Sequence, residues 1–346
     1  MVSRSHPGAA GEAQTTEERS LAERRYLLRR ELGRGGMAVV YEALDRTRDR
    51  RVALKQLRTH PEPAKHARNA ELFELEFHTL AQLAHPRIVE VYDFGLDPSG
   101  AYYTMELLDG GDLSELAPLP WQSACAIARD VCAALSLLHS RRFVHRDISP
   151  RNVRRTAAGS AKLIDFGALA PMGPSKLLVG TPPCCAPESV HLQSLDGRTD
   201  LYALGATLYF MLAGHHAYSA PNFSVLQEAW AQGFPPPSAF QRDVPPALDA
   251  LVLELLRLEP DARPASAAEV VQRLAAIDGA LAAEESQFAQ AYLATPPLVG
   301  RESELARASR RLKRVAAGRG RSVLVEGAAG VGRSRFLDGV VLDAAL

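Results

Sequence analysis

His145-Arg146-Asp147-Ile148-Ser149-Pro150-Arg151-Asn152 is followed, thirteen residues after Asn152, by Asp165-Phe166-Gly167. Both stretches come after apolar runs, 121–143 and 162–164, so each lies where a buried element hands over to a loop. Two carboxylates and an amide on such loops suit oxygen ligation of Mg²⁺ together with one general base. Taken singly, an aspartate at the end of an element is more commonly a cap or a turn residue. The residues upstream decide between the two.

Leu32-Gly33-Arg34-Gly35-Gly36-Met37-Ala38-Val39-Val40-Tyr41 joins two predicted strands. Gly33, Gly35 and Gly36 let backbone amides approach an anion closely, although a flexible hairpin needs no more than the same glycines. Val52-Ala53-Leu54-Lys55 follows on the next strand. Only five of the forty basic residues are lysine (Lys55, Lys65, Lys162, Lys176 and Lys313), and Lys55 ends an apolar run where a charge is costly. Glu76 is the matching anomaly, four residues after Leu72 and four before Leu80 on the apolar face of a predicted helix. A Lys55–Glu76 ion pair answers both anomalies and leaves the ammonium facing nucleotide phosphates; the plainer reading is a structural pair.

Around these motifs the pattern predicts strands over 26–32, 38–43 and 51–57, then a helix over 65–84 with Leu72, Leu75, Leu80 and Leu83 on one face. Strands over 88–94 and 101–107 complete a sheet-rich part. Helices over 121–140, 199–213, 246–258 and 266–276 make a larger helical part. The junction near 106–110 is where a ligand cleft is expected.

The outer bounds agree. A chain of 346 residues with 47% hydrophobic and 23% charged residues is globular. Forty acidic residues balance the forty basic ones, which argues against a dedicated nucleic-acid binder. The longest apolar stretch, 201–214, is too short to span a bilayer, and residues 1–25 lack an apolar signal core. Cys125, Cys132, Cys184 and Cys185 have no metal-site spacing and read as reduced thiols of a cytoplasmic protein. The chain divides into a tail (1–25), a main domain (26–276), an Ala/Glu/Gln-rich linker (277–296) and a restart of strand–turn–helix alternation (297–346).

Over residues 26–276 the chain resembles a eukaryotic-type serine/threonine protein kinase of the kind found in bacteria, in the order, spacing and context of its motifs. The resemblance implies an α+β bilobal protein-kinase fold, with a small antiparallel-sheet lobe carrying one helix and a larger helical lobe. It implies that Gly33, Gly35 and Gly36 cover the phosphates of ATP. Lys55 would grip the α- and β-phosphates while paired with Glu76, and Val40, Ala53, Met105, Glu106 and Leu108 would line the adenine pocket and hinge. Asp112 would meet the ribose. Asp147 would be the catalytic base, with Asn152 and Asp165 holding Mg²⁺. Glu188 is expected to pair with Arg263, and Asp200 to brace the catalytic loop. The implied activity is ATP- and Mg²⁺-dependent transfer of the γ-phosphoryl group to Ser or Thr hydroxyls of protein substrates, within a larger signalling protein. The alternative is a nucleotide-binding pseudokinase scaffold regulating a C-terminal ATPase.

Three departures bear on this. Ala38 replaces the third glycine of the loop. Ser149 stands where such kinases usually carry a phosphoryl-neutralising lysine, and Arg151 occupies the place where tyrosine kinases put an arginine for that task. In the segment 165–188 Ser175 is the central hydroxyl and so the expected phosphorylation site, while Gly180-Thr181 favours Ser/Thr specificity. Beyond the linker, Gly327-Ala328-Ala329-Gly330-Val331-Gly332-Arg333-Ser334 lies between a predicted strand (322–326) and helix (333–345), the setting of a P-loop. With Leu298-Val299-Gly300-Arg301-Glu302 it resembles the start of a STAND-type ATPase, an α/β P-loop domain. Gly327, Gly330, Gly332, Arg333 and Ser334 would form a second nucleotide site. Arg333 departs from the usual lysine there.

Overall fold

A computed structural model describes residues 20–21, 25–279, 301–316, 324–326, 336–337 and 340. The described chain forms two compact units. One comprises residues up to Pro61 together with Asp93–Leu107; the other comprises Glu62–Tyr92 and the chain from Leu108 onward.

The first unit is built on a six-stranded sheet. Its strands are β1 (Ser20–Leu21), β2 (Tyr26–Arg34), β3 (Ala38–Asp45), β4 (Arg50–Leu57), β5 (Val91–Asp97) and β6 (Gly100–Met105), in the order β1-β2-β3-β4-β6-β5. The pairs β1–β2, β2–β3, β3–β4 and β4–β6 are antiparallel. Val52, Leu54 and Leu57 with Val39 and Ala43 supply buried β-branched and aliphatic side chains. β2 changes register against β3 between Leu28 and Gly33, the irregularity of a bulged strand leading into the glycine loop. The end of the stretch read as a tail contributes structure: β1 adds a strand, Leu21 is buried, and Arg25 binds Asp45 at 3.0 Å and Asp93 at 2.7 Å.

The second unit is mainly helical: α1 (Pro63–Gln82), α2 (Leu113–Leu116), α3 (Trp121–Ser140), α4 (Pro187–Val190), α5 (Gly197–Ala213), α6 (Phe223–Gln232), α7 (Pro246–Leu255) and α8 (Ala267–Asp278). Nearly every side chain of α5 from Thr199 to Leu212 is buried, because α3 and α7 pack against it. Gly205 permits the α7 contact: a Cβ there would lie 2.6 Å from that of Leu255. α4 is tied down by the buried Glu188–Arg263 pair, bidentate at 2.6 and 2.9 Å, as the resemblance implied. Arg263 also donates to the carbonyls of Arg257, Leu258 and Arg198, so the ion pair leaves little hydrogen-bonding capacity unmet. The four cysteines are free and buried, and burial pushes the Cys125 and Cys185 thiols up to about 12.

Some elements differ from the sequence pattern. On α1 burial follows Phe73, Glu76, Thr79 and Leu80, while Leu72 is 41% exposed; Phe73 takes the inward position one residue on. β5 starts at Val91, not 88, because Ile88 and Val89 bond elsewhere: the Val89 N–H donates to Leu163 O at 2.9 Å. α7 stops at Leu255, and α6, capped by Asn222, is an element that the apolar pattern does not mark. Glu302–Ala316 is helical. Of the expected strand 322–326, residues 324–326 are described and carry no strand. The P-loop residues 327–334 lie outside the described residues, as do most of the tail and the linker.

The turn between α1 and β5 makes stability depend on pH. The His85 Nδ1 accepts the Arg87 N–H at 3.1 Å, and burial, with Arg87 and Lys162 nearby, holds the imidazole down to about 4. The unfolded chain takes up this proton near the usual value of about 6.5. Between those values the folded state binds fewer protons, so stability falls as pH drops from about 6.5 toward 4. His85→Asn keeps an acceptor and removes the titration. Thermal unfolding followed by circular dichroism from about pH 7 to about pH 4.5 should show a shallower decline in the variant; equal slopes would clear His85 of this role.

Candidate active site

The catalytic-loop motif is shaped from behind by α5. Asp200, in its first turn and fully buried, accepts the His145 N–H and the Arg146 N–H, each at 2.9 Å, and binds His139 Nε2 at 2.8 Å. Burial opposes its ionised form, but these donors more than offset that and hold the carboxyl below its usual range. The two amides bend the chain so that Arg146 takes φ 67°. Its guanidinium Nε donates to Ala168 O at 2.5 Å. The His145 ring is buried, held neutral by that burial, and packs edge-on against Phe166 at 4.7 Å.

Asp147 follows this bend. The Asn152 Nδ2 donates to its carboxylate Oδ2 at 2.8 Å, and the Thr181 hydroxyl to Oδ1 at 2.8 Å. Burial pushes the Asp147 carboxyl up against the pull of those two donors. The Thr181 bond was not foreseen, and its signal is the glycine before it. Gly180 has φ +111°, and a Cβ there would lie 2.7 Å from Arg146 O. Only glycine brings Thr181 this close to the catalytic loop.

Asn152 and Asp165 are joined through the backbone, where the Ile164 N–H donates to Asn152 O at 3.0 Å. Asp165 is exposed at φ 75°, and its Oδ1 accepts the Gly167 N–H at 3.3 Å. Since Asn152 turns its Nδ2 to Asp147, its side-chain oxygen is directed elsewhere. A carboxylate and an amide oxygen are hard donors suited to Mg²⁺. Among the described residues no three His, Cys, Asp or Glu cluster as a metal cage. A two-residue site that shares its ion with phosphate oxygens fits that donor set. The Phe166 N–H donates to Glu76 Oε1 at 3.3 Å, which fixes the buried Glu76 carboxylate over this segment. Asp112 caps α2 through the Ser114 N–H, and Leu108 is buried. Arg151 is exposed and Ser149 is buried. The Ser175 hydroxyl donates to Leu177 O at 3.1 Å.

The first unit holds the remaining predicted residues. Lys55 lies opposite Val40 on β3 and Tyr103 on β6, buried, its Nζ 5.7 Å from the Tyr103 ring centre. Ala53 is the register partner of Met105. A Cβ on Gly33 or Gly36 would meet nothing within 4 Å, and neither has a positive φ. The backbone conformation therefore does not require glycine at these two positions; what glycine leaves is an unshielded backbone. The Gly35 N–H turns back to Ala38 O at 2.8 Å, and Ala38, at the third-glycine position, is buried in β3. Lys55 and Glu76 lie in different units.

The family model for the protein kinase domain matches residues 26–274. The chain belongs to the protein kinase family. It is 36% identical to the serine/threonine-protein kinase PksC of Streptomyces coelicolor over 71% of this chain and 47% of that protein. It is 33% identical to PknL of Mycobacterium tuberculosis, covering 78% of this chain and 69% of that one. The DNA damage-responsive serine/threonine-protein kinase RqkA of Deinococcus radiodurans is 36% identical over 70% of this chain and 38% of its own length. Residues 26–274 thus form a protein serine/threonine kinase domain of bacterial type. The chain spans about half of PksC and about two thirds of PknL. No described helix is long and apolar enough to cross a membrane.

Removing the brace behind the loop should be severe. Asp200→Ala leaves the buried His145 amide and the half-buried Arg146 amide without an acceptor and is expected to cost about 3–5 kcal/mol. Amide exchange at His145 and Arg146 should rise with it. Unchanged unfolding midpoint and unchanged protection would show that the loop holds its shape without Asp200.

Proposed function

We propose that this chain transfers the γ-phosphoryl group of ATP to Ser or Thr hydroxyls of protein substrates. The observation that carries this is the Asp147 carboxylate held by Asn152 on one oxygen and Thr181 on the other. ATP supplies the phosphoryl group, and Mg²⁺, when bound, would offset the charge of its phosphates. Asn152 and Asp165 would hold the ion. Lys55, paired with Glu76, would grip the α- and β-phosphates under Gly33, Gly35 and Gly36. Val40, Ala53, Met105, Glu106 and Leu108 would receive the adenine, and Asp112 the ribose. Asp147 orients the acceptor hydroxyl and takes its proton as the new P–O bond forms and the bond to the β-phosphate oxygen breaks, releasing ADP. The remainder is positioning and charge stabilisation.

Ser149 cannot supply a positive charge to the transferred group. Arg151, two residues on, carries that charge in its place. Residues 297–346 we take as the start of a P-loop domain behind the kinase, binding nucleotide through residues 327–334, with the kinase as one module of a larger signalling protein.

Phosphate transfer from labelled ATP with Mg²⁺, to the protein itself and to generic peptides, tests the proposal. Label on Ser or Thr is expected in wild type and not in Asp147→Asn or Lys55→Met. Arg151→Ala should lower kcat by about 10²–10³-fold with little change in ATP affinity. Unchanged turnover in that variant would remove Arg151 from the transfer step. Nucleotide binding without any transfer would favour the scaffold reading, for which the buried Ser149 is the motivating feature.

A further inference from the structure

β4 lies inside the sheet, with β3 on one side and β6 on the other. Side chains two residues apart on a strand share a face, so Ala53 and Lys55 line the same one. The register sets Met105 opposite Ala53 and Tyr103 opposite Lys55, two successive rungs of that face. On the kinase reading the first rung meets the adenine, and the second carries the grip on the phosphates.

The second rung has to stabilise a charge. Lys55 is 8% exposed, so water cannot fully hydrate its ammonium and its neighbours must make up the difference. Directly opposite it stand Val40 on β3 and Tyr103 on β6. Val40 offers only methyl groups. Tyr103 offers an aromatic ring, 1% exposed, with its centre 5.7 Å from Lys55 Nζ. A ring face attracts a cation within about 6 Å, and the attraction strengthens where water is excluded. A ring enclosed this deeply cannot swing aside without disturbing its packing. Tyr103 and Lys55 belong to the first unit, whereas Glu76 belongs to the second. The hold that Tyr103 exerts is therefore built into the sheet that carries the lysine.

We propose that Tyr103 is a positioning residue for Lys55, its ring holding the ammonium charged and aimed at the nucleotide phosphates. This deepens, and rests on, the kinase reading above. Tyr103 acts through Lys55 and touches no reacting atom. Because ring and lysine share one sheet, the aim of Lys55 does not rest on Glu76 alone. The ring supplies the effect and the phenolic hydroxyl does not, so phenylalanine should serve in its place.

The test compares ADP with adenosine, each titrated calorimetrically into the full chain with Mg²⁺ present. Lys55 meets the phosphates of ADP and has nothing to grip on adenosine, so the ratio of the two affinities reads the phosphate grip. Tyr103→Leu removes the ring and should lower that ratio about three- to tenfold, with adenosine affinity unchanged. Tyr103→Met fills the space with a flexible chain and no ring, and should give the same fall even if the leucine variant does not fold. Tyr103→Phe should keep the wild-type ratio. In a Lys55→Met background, removing the ring should change the ratio no further. A merely structural role for Tyr103 would weaken both ligands together. That result, an unchanged ratio in the ring-less variants, or an equal fall in Tyr103→Phe would overturn the proposal. ADP binding without any phosphoryl transfer would sink the kinase reading and leave the ratio to decide Tyr103. A wild type that binds neither ligand would sink both.

Discussion

The Asp200 carboxylate accepts hydrogen bonds from two consecutive backbone amides, His145 and Arg146, and from the His139 ring. A wholly buried carboxylate persists as an anion only when donors replace the water it has lost. Here the donors belong to the loop that the carboxylate has to shape. Because α5 is buried along almost its whole length, the anchor cannot shift without disturbing α3 and α7. The bend at Arg146 (φ 67°) is therefore imposed from below, and it sets the direction in which Asp147 leaves the loop. Asp147 could not be held by Asn152 and Thr181 if this turn were free to relax.

Thr181 reaches Asp147 from a different segment, and that segment needs its own restraint. Gly180 supplies the close backbone approach at one end. At the other, Glu188 is locked to Arg263, whose remaining donors go to three carbonyls. A buried pair of this kind contributes less to net stability than to keeping one arrangement. The arrangement it keeps is that of residues 180–188 against the catalytic loop. Two buried charges, Asp200 and Glu188, thus fix two segments whose meeting point is the partly buried Asp147.

Much of this was legible because charge in an apolar run is costly and so stands out. Lys55 and Glu76 are both buried, as their apolar surroundings in sequence required. The Glu188–Arg263 pair and the Asp200 brace followed from motif resemblance and are present in the geometry. Periodicity served less well wherever partners come from far away in sequence. On α1 it pointed to Leu72, and burial selects Phe73 instead. Residues 88–89 look like the start of a strand, yet their hydrogen bonds run to Leu163, a choice no local pattern encodes. α6 has a clear start signal in Asn222, but it buries only Leu226 and Trp230, too few to mark an apolar face. The Thr181–Asp147 bond joins positions more than thirty residues apart, and only the fold brings them together.

The handling of positive charge next to Asp147 follows from the same constraints. Ser149 is buried, so a lysine at that position would have to carry its ammonium out of an enclosed site, whereas Arg151 is already in solvent. An exposed guanidinium has a weaker field than an enclosed ammonium, because water and salt screen it. In exchange its planar fork can engage oxyanions in pairs, and it is not confined to one of them.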